Sequence, residues 1–198
     1  VNEDALRARL SRLSGHRATA LHDDGAHVDR DDLVPAAVLV PILLGAAPGI
    51  LLTKRTAHLA RHPGQVSFPG GRIDPADPDP EAAALRESWE EIGLDPAVVS
   101  LQGRLAPYVT GTGYRITPVV GLLPADPVLL PNPSEVEAVF VLPLGVLLDP
   151  KAPQRRTREE TGRRREFWVW PHAEHYIWGA TAAILVHLAK LLRGEDAG

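Results

Sequence analysis

The stretch Arg86-Glu87-Ser88-Trp89-Glu90-Glu91-Ile92-Gly93-Leu94 decides how the rest of the chain is read. As a helix turning about 100° per residue, with Leu85 at zero, it puts Glu90 near 140°, Glu87 near 200° and Glu91 near 240°. Ile92, Leu85 and Trp89 fall between about 340° and 40°, so they are expected to face the core. Like charges at helical spacing repel by a few tenths of a kcal/mol per pair, so three acids on one face need a reason to be there. Oxygen-only ligands at close quarters suit a hard divalent ion such as Mg²⁺ or Mn²⁺. A bare E-x-x-E-E most often marks only a solvated helix face.

The flanks favour the metal reading. The fixed residues of R-E-x-x-E-E-x-G should meet by chance in on the order of one in ten thousand chains of this size, at average residue usage. Phe68-Pro69-Gly70-Gly71 forms a tight turn upstream. Asp79-Pro80-Glu81 is a helix start, with Asp as N-cap, Pro at the first position and an acid in the first turn, and Gly93 is a helix stop. The whole resembles the Nudix box, G-x5-E-x7-R-E-U-x-E-E-x-G-U, with U a bulky apolar residue. Counted from Gly71, the isolated Glu of that pattern falls on Asp77, eight residues rather than seven then precede Arg86, and Ser88 stands where an apolar residue is usual. The role of Asp77 is left open by these departures. Glu81, near 320° by the same rotation of about 100° per residue, faces the core side and is no substitute.

The run from Leu51 to Gly71 is similar to the motif of coenzyme A pyrophosphatases within the Nudix family, L-L-T-x-R-[SA]-x3-R-x3-G-x3-F-P-G-G. Thr56 replaces Ser or Ala, and Ala60 replaces Arg with Arg61 beside it. Further resemblance covers Gly113–Gly121, Asn132–Phe140 with Pro143-Leu144, and Ile177–Ala182. It implies an α/β chain with the Nudix fold, an α/β/α sandwich around a mixed central sheet, in one globular domain over 33–194; the preceding residues, read as a helix and arm over 1–32, lie outside the resemblance. It implies hydrolysis of the pyrophosphate bond of coenzyme A or a derivative to adenosine 3′,5′-bisphosphate and 4′-phosphopantetheine.

By position in the resembled motifs, Glu87 and Glu91 are first-choice metal ligands and Glu90 the third. Arg86 orients a neighbouring carboxylate, and Glu135 is a candidate general base or extra ligand. Arg55 and Arg61 offer forked cationic donors to pyrophosphate oxygens. Gln65, Ser67, Gly70 and Gly71 line the substrate loop, and Tyr114 could stack on adenine. Strand aromatics such as Tyr108 and Tyr114 are more often packing residues. Arg155, Arg156, Arg158, Arg163, Arg164 and Arg165 could meet a 3′-phosphate, although such runs are commonly solvated loops.

Bulk properties agree with one enzyme domain. The chain has 198 residues, 44% of them hydrophobic, enough for a substantial core. A formal net charge of −4 gives no electrostatic case for nucleic acid or an anionic membrane. The absence of cysteine excludes disulfides and thiolate metal sites. The apolar run 34–50 is broken by proline and glycine and reads as neither a spanning helix nor a secretory signal, so a cytoplasmic location is expected. The expected partner is a small molecule, with a homodimer left open.

Periodicity places a short amphipathic helix over 2–13 and strands over 36–44, 49–53, 98–110, 115–123, 135–142 and 166–171. It places a long loop over 56–79 and a final helix over about 174–193. Two other functions fit the same residues: a Nudix hydrolase of another nucleoside diphosphate derivative such as ADP-ribose, and a non-catalytic nucleotide- or protein-binding module.

Overall fold

A computed structural model of the chain describes residues 3–11, 13, 21–22, 33–59, 62–160 and 163–195. The architecture follows from two long strands, β2 (Val34–Leu43) and β8 (Tyr114–Leu123), which pair in parallel from Val34 opposite Tyr114 to Leu43 opposite Leu123. Both are apolar at nearly every position, as expected of strands covered on both faces. β3 (Gly49–Arg55) joins β2 antiparallel and carries β4 (Val66–Ser67) and β9 (Val136–Pro143). β5 (Gly70–Arg72) pairs with the start of β2, while β6 (Ser100–Arg104) and β7 (Tyr108–Val109) pair with β8. β1 (Leu21–His22) closes that edge in parallel with β7.

The two-residue period of the strands sorts their side chains onto two faces. Ala37, Leu39, Leu51, Val119 and Leu123 pack with Ala83, Ala84 and Ile92 of helix α2 (Pro80–Ile92). Val40, Ile42, Ile50, Leu52, Val120 and Leu122 face the other way. They pack on α1 (Glu3–Leu10), α3 (Leu144–Leu148) and α4 (Gly179–Arg193). The result is an α/β/α sandwich around a mixed sheet. Each fully buried Leu or Ile contributes about 2 kcal/mol, so the slippage of any central strand by one residue would be costly.

Several elements differ from the expected ones. The span 98–110 is two strands, β6 and β7, separated by Leu105-Ala106-Pro107. The loop over 56–79 contains β4 and β5. The Arg-rich run is a hairpin, β10 (Gln154–Glu160) on β11 (Arg163–Trp170), with Glu159 opposite Arg164 and Glu160 opposite Arg163. β12 (Ile177–Trp178) adds a third strand to it. The last helix begins at Gly179, whose φ of 62° cannot continue a right-handed helix from 174. No helix among the described residues is long and apolar enough to cross a membrane.

Candidate active site

Helix α2 is set by its ends. The Asp79 carboxylate accepts from the Ala82 amide at 2.8 Å, Pro80 opens the first turn, and Gly93 stops the helix with φ 63° and its N–H bonded back to Trp89. The buried stripe is Ala83, Ala84, Ser88, Glu91 and Ile92. This corrects the expected face. Trp89 is 54% exposed, whereas Ser88 is buried and donates to the Ala84 carbonyl at 2.6 Å. The helix is rotated so that Glu91 points into the protein, with Ser88 on the same buried side. Glu87 is partly buried and Glu90 half exposed, so the three acids run from the interior to solvent.

The Phe68-Pro69-Gly70-Gly71 turn brings backbone against this helix. Gly70 has φ 152°, and a Cβ there would stand 2.4 Å from the Ala37 carbonyl oxygen. A Cβ on Gly71 would stand 2.5 Å from the carboxyl carbon of Glu87. Glycine at both positions therefore lets the turn touch the acidic face. The Gly70 N–H donates to Glu91 Oε2 at 3.1 Å, and Arg55 Nη1, from the end of β3, donates to Glu91 Oε1 at 3.2 Å.

Arg86 is the organiser of the outer acids. Its Nε and Nη2 grip Asp77 Oδ1 and Oδ2 at 3.1 and 3.0 Å, and Nη1 reaches Glu87 at 3.1 Å and Glu90 at 3.3 Å. Nη2 also donates to the Arg72 carbonyl at 3.2 Å. The isolated acid, left open by its spacing, is thus the bidentate partner of Arg86. Hydrogen bonding by Arg86 holds the Asp77 carboxyl below its ordinary range, and Asp77 in turn raises the Arg86 guanidinium.

Glu135 belongs to the same cluster. Its charge helps to raise both Glu87 and Glu91. Burial is the larger cause in each, and pushes Glu91 up to about 7. Glu135 follows Asn132, whose amide Nδ2 donates to Glu135 Oε1 at 3.3 Å. Thr56, next to Arg55, donates its N–H to the Glu135 carbonyl at 2.9 Å.

The other expected residues are dispersed. Gln65 Oε1 meets His62 Nδ1 at 3.1 Å, and the Ser67 hydroxyl meets Thr53 at 3.2 Å. Tyr114 accepts from Arg72 at 3.3 Å, one residue from Gly71. Arg61 lies outside the described residues. Arg155 pairs with Glu166 at 3.4 Å and lies over the Trp168 ring at 4.7 Å. Asn132 was not singled out by its chemistry, since only the turn it makes reveals its reach.

As placed, the box acids are shared between Arg55, Arg86 and the Gly70 amide. Among the described residues no three acidic or imidazole side chains are gathered closely enough to hold a metal ion. The donor set still fits a hard divalent cation. It is all oxygen, and the charge of Glu135 adds to that of the box acids in raising Glu87 and Glu91, an excess of negative charge that a cation would relieve.

Residues 33–153 match the model of the NUDIX domain, well over half of the chain. The chain belongs to the Nudix family. An Enterobacter relative named as an uncharacterized Nudix hydrolase, NudL, is 42% identical over 154 residues, covering 78% of this chain and 80% of the relative. The NudL of Escherichia coli K12 shows the same identity and coverage. Among solved structures, an Ap4A hydrolase of C. elegans is 22% identical, covers 57% of this chain and 82% of that one, and superposes with a TM-score of 0.47. This Nudix chain is accordingly a pyrophosphohydrolase of nucleoside diphosphate derivatives, in a family that works with divalent metal ions.

Proposed function

We propose that this Nudix hydrolase cleaves the diphosphate of coenzyme A and its derivatives, releasing adenosine 3′,5′-bisphosphate and 4′-phosphopantetheine or its acyl form. The observation that carries this reading is the fold of 51–59 and 62–71. Within the run that resembles the coenzyme A motif, β3 pairs with β4, and Arg55 at the end of β3 and Gly70 in the glycine turn both bond Glu91.

Glu87 and Glu91, with Glu90, would hold Mg²⁺ or Mn²⁺, which supplies positive charge to the diphosphate oxygens when bound. Arg55 and Arg61 bind non-bridging oxygens and orient the scissile diphosphate. Gly70 and Gly71 allow the substrate chain to approach the helix, and Tyr114 at the rim offers a ring to the adenine. Glu135 accepts the proton of the attacking water as its oxygen bonds to phosphorus and the bridging P–O bond breaks. Arg86, fixed by Asp77, keeps Glu87 and Glu90 in place.

The test is a panel of coenzyme A, acyl-coenzyme A, ADP-ribose and dinucleoside polyphosphates, with Mg²⁺ in heavy-oxygen water and products read by mass. The expected result is the two named products, with coenzyme A or its acyl form the best substrate and Glu87→Gln inactive. Turnover of ADP-ribose well above coenzyme A would reject the substrate, and an unimpaired Glu87→Gln would reject the site.

A further inference from the structure

Every polar group of Asn132 is engaged, and together they bridge the box helix to the acid of the next loop. Its N–H donates to the Glu91 carbonyl at 2.9 Å. Its carbonyl accepts the Glu135 and Val136 amides at 3.0 and 2.8 Å. Oδ1 accepts the Ser134 amide at 3.1 Å and the Ser134 hydroxyl at 2.7 Å, closing a tight turn. That leaves Nδ2 free to reach forward to Glu135 Oε1 at 3.3 Å. From the opposite side Thr56 fixes the same turn, with its N–H on the Glu135 carbonyl at 2.9 Å and its hydroxyl on the Ser134 carbonyl at 3.3 Å.

We propose that Asn132 is the positioning residue for Glu135, aiming its carboxylate at the box acids by donating Nδ2–H while it is itself anchored on the backbone of Glu91. The proposal rests on Glu135 taking the proton in the reading above. Asn alone offers this combination. Asp has the acceptor for Ser134 but no donor, and adds a negative charge beside Glu135. Gln carries its amide one methylene further out and cannot close the same turn. A carboxylate whose backbone is pinned by Thr56, and whose head is held by an amide anchored on Glu91, keeps its distance from the metal-binding acids even if the rest of the loop shifts.

Asn132→Asp separates positioning from folding, because it keeps the Ser134 acceptor that closes the turn while it replaces the donor to Glu135 by a negative charge. The expected effect is a fall in kcat of about tenfold to a hundredfold, with KM within about twofold, as for a misplaced reacting group. In a Glu135→Gln background the same substitution should lower kcat by less than about twofold, since the aimed group is already gone. Should Asn132→Asp unfold, Asn132→Ser, whose hydroxyl can still accept from the Ser134 amide, replaces it with the same expectation. An unchanged kcat, or losses that multiply in the double variant, would overturn the proposal. The assays run on whichever panel member the wild type cleaves, so a wrong substrate does not touch them. Crystal structures of the wild type and the Asp variant without substrate supply the readout independent of turnover. A Glu135 carboxylate that leaves its wild-type position supports the proposal, and one that stays there overturns it.

Discussion

Gly70 and Gly71 are adjacent, yet a methyl group would act on them in different ways. At Gly70 it would meet the backbone of β2 and sit on a positive φ, neither of which can yield cheaply. Gly70→Ala is expected to lower stability by about 2 kcal/mol or more, measured by urea unfolding. At Gly71 its three nearest neighbours would all belong to the far end of the Glu87 side chain, which can swing away. Gly71→Ala should therefore keep close to wild-type stability and lose on the order of a hundredfold in kcat, because Glu87 is displaced by about an ångström. Similar stability losses for the two variants would contradict this division. Glu91 gives a second residue-level outcome. Burial raises its pKa from 4.5 to about 7, so between those values the folded protein binds more protons than the unfolded chain. Its contribution to stability is thus greatest below about pH 4.5 and is lost as pH rises to about 7, by on the order of 3 kcal/mol. In EDTA, the wild type should lose stability relative to Glu91→Gln between pH 5 and pH 8. Added Mg²⁺ at pH 8 should restore it, since a ligand of the folded state shifts the unfolding equilibrium. A difference between the two proteins that is flat with pH would contradict the assigned burial effect.

At the scale of the element, α2 separates what local chemistry announces from what packing decides. Asp79, Pro80 and Gly93 mark its ends because capping depends on neighbours in sequence. Its inward face was not legible in the same way. Rotation about the helix axis is set by the groove it fills, and here the buried acid Glu91 and the small Ser88 define that groove while Trp89 stays outside. Replacing Ser88 by Leu, the kind of residue usual at that position in the box, should therefore destabilise by about 1–3 kcal/mol through overpacking against the sheet. It should also lower activity by lifting Glu91 from Gly70. A Ser88→Leu protein of unchanged urea midpoint would contradict the packing described. Asp77 teaches a related point. Its spacing is one residue long and its side chain one methylene short, and the turn before α2 absorbs both to make the bidentate contact with Arg86. Of the hairpin, β11 was largely expected as the strand over 166–171, whereas β10 was hidden for a different reason. Gln154-Arg155-Arg156-Thr157-Arg158-Glu159 is exposed at nearly every position, so no apolar alternation marks it as a strand. Cross-strand pairing with Glu166 and Trp168 supplies the order instead.

Over the whole molecule, the alternation within β2, β3 and β8 sends one set of residues to α2 and the other to α1, α3 and α4. The strands were legible as apolar runs, but the sorting was not, because strands buried on both faces are continuously apolar and show no alternation; the sorting holds the acidic helix against the sheet. The convergence of the site was only partly legible. The box acids are local, but Arg55, Gly70, Asn132 and Glu135 come from segments tens of residues apart, and only β3–β9 pairing and the loop across α2 bring them together. The central claim is that Glu87 and Glu91 bind the divalent ion beside the diphosphate. Anomalous scattering from a crystal soaked in Mn²⁺ tests it most directly. The account predicts a manganese peak bonded to carboxylate oxygens of Glu87 and Glu91, lost in Glu87→Gln. A manganese peak bound elsewhere with both carboxylates unliganded, or no peak at saturating Mn²⁺, would contradict it.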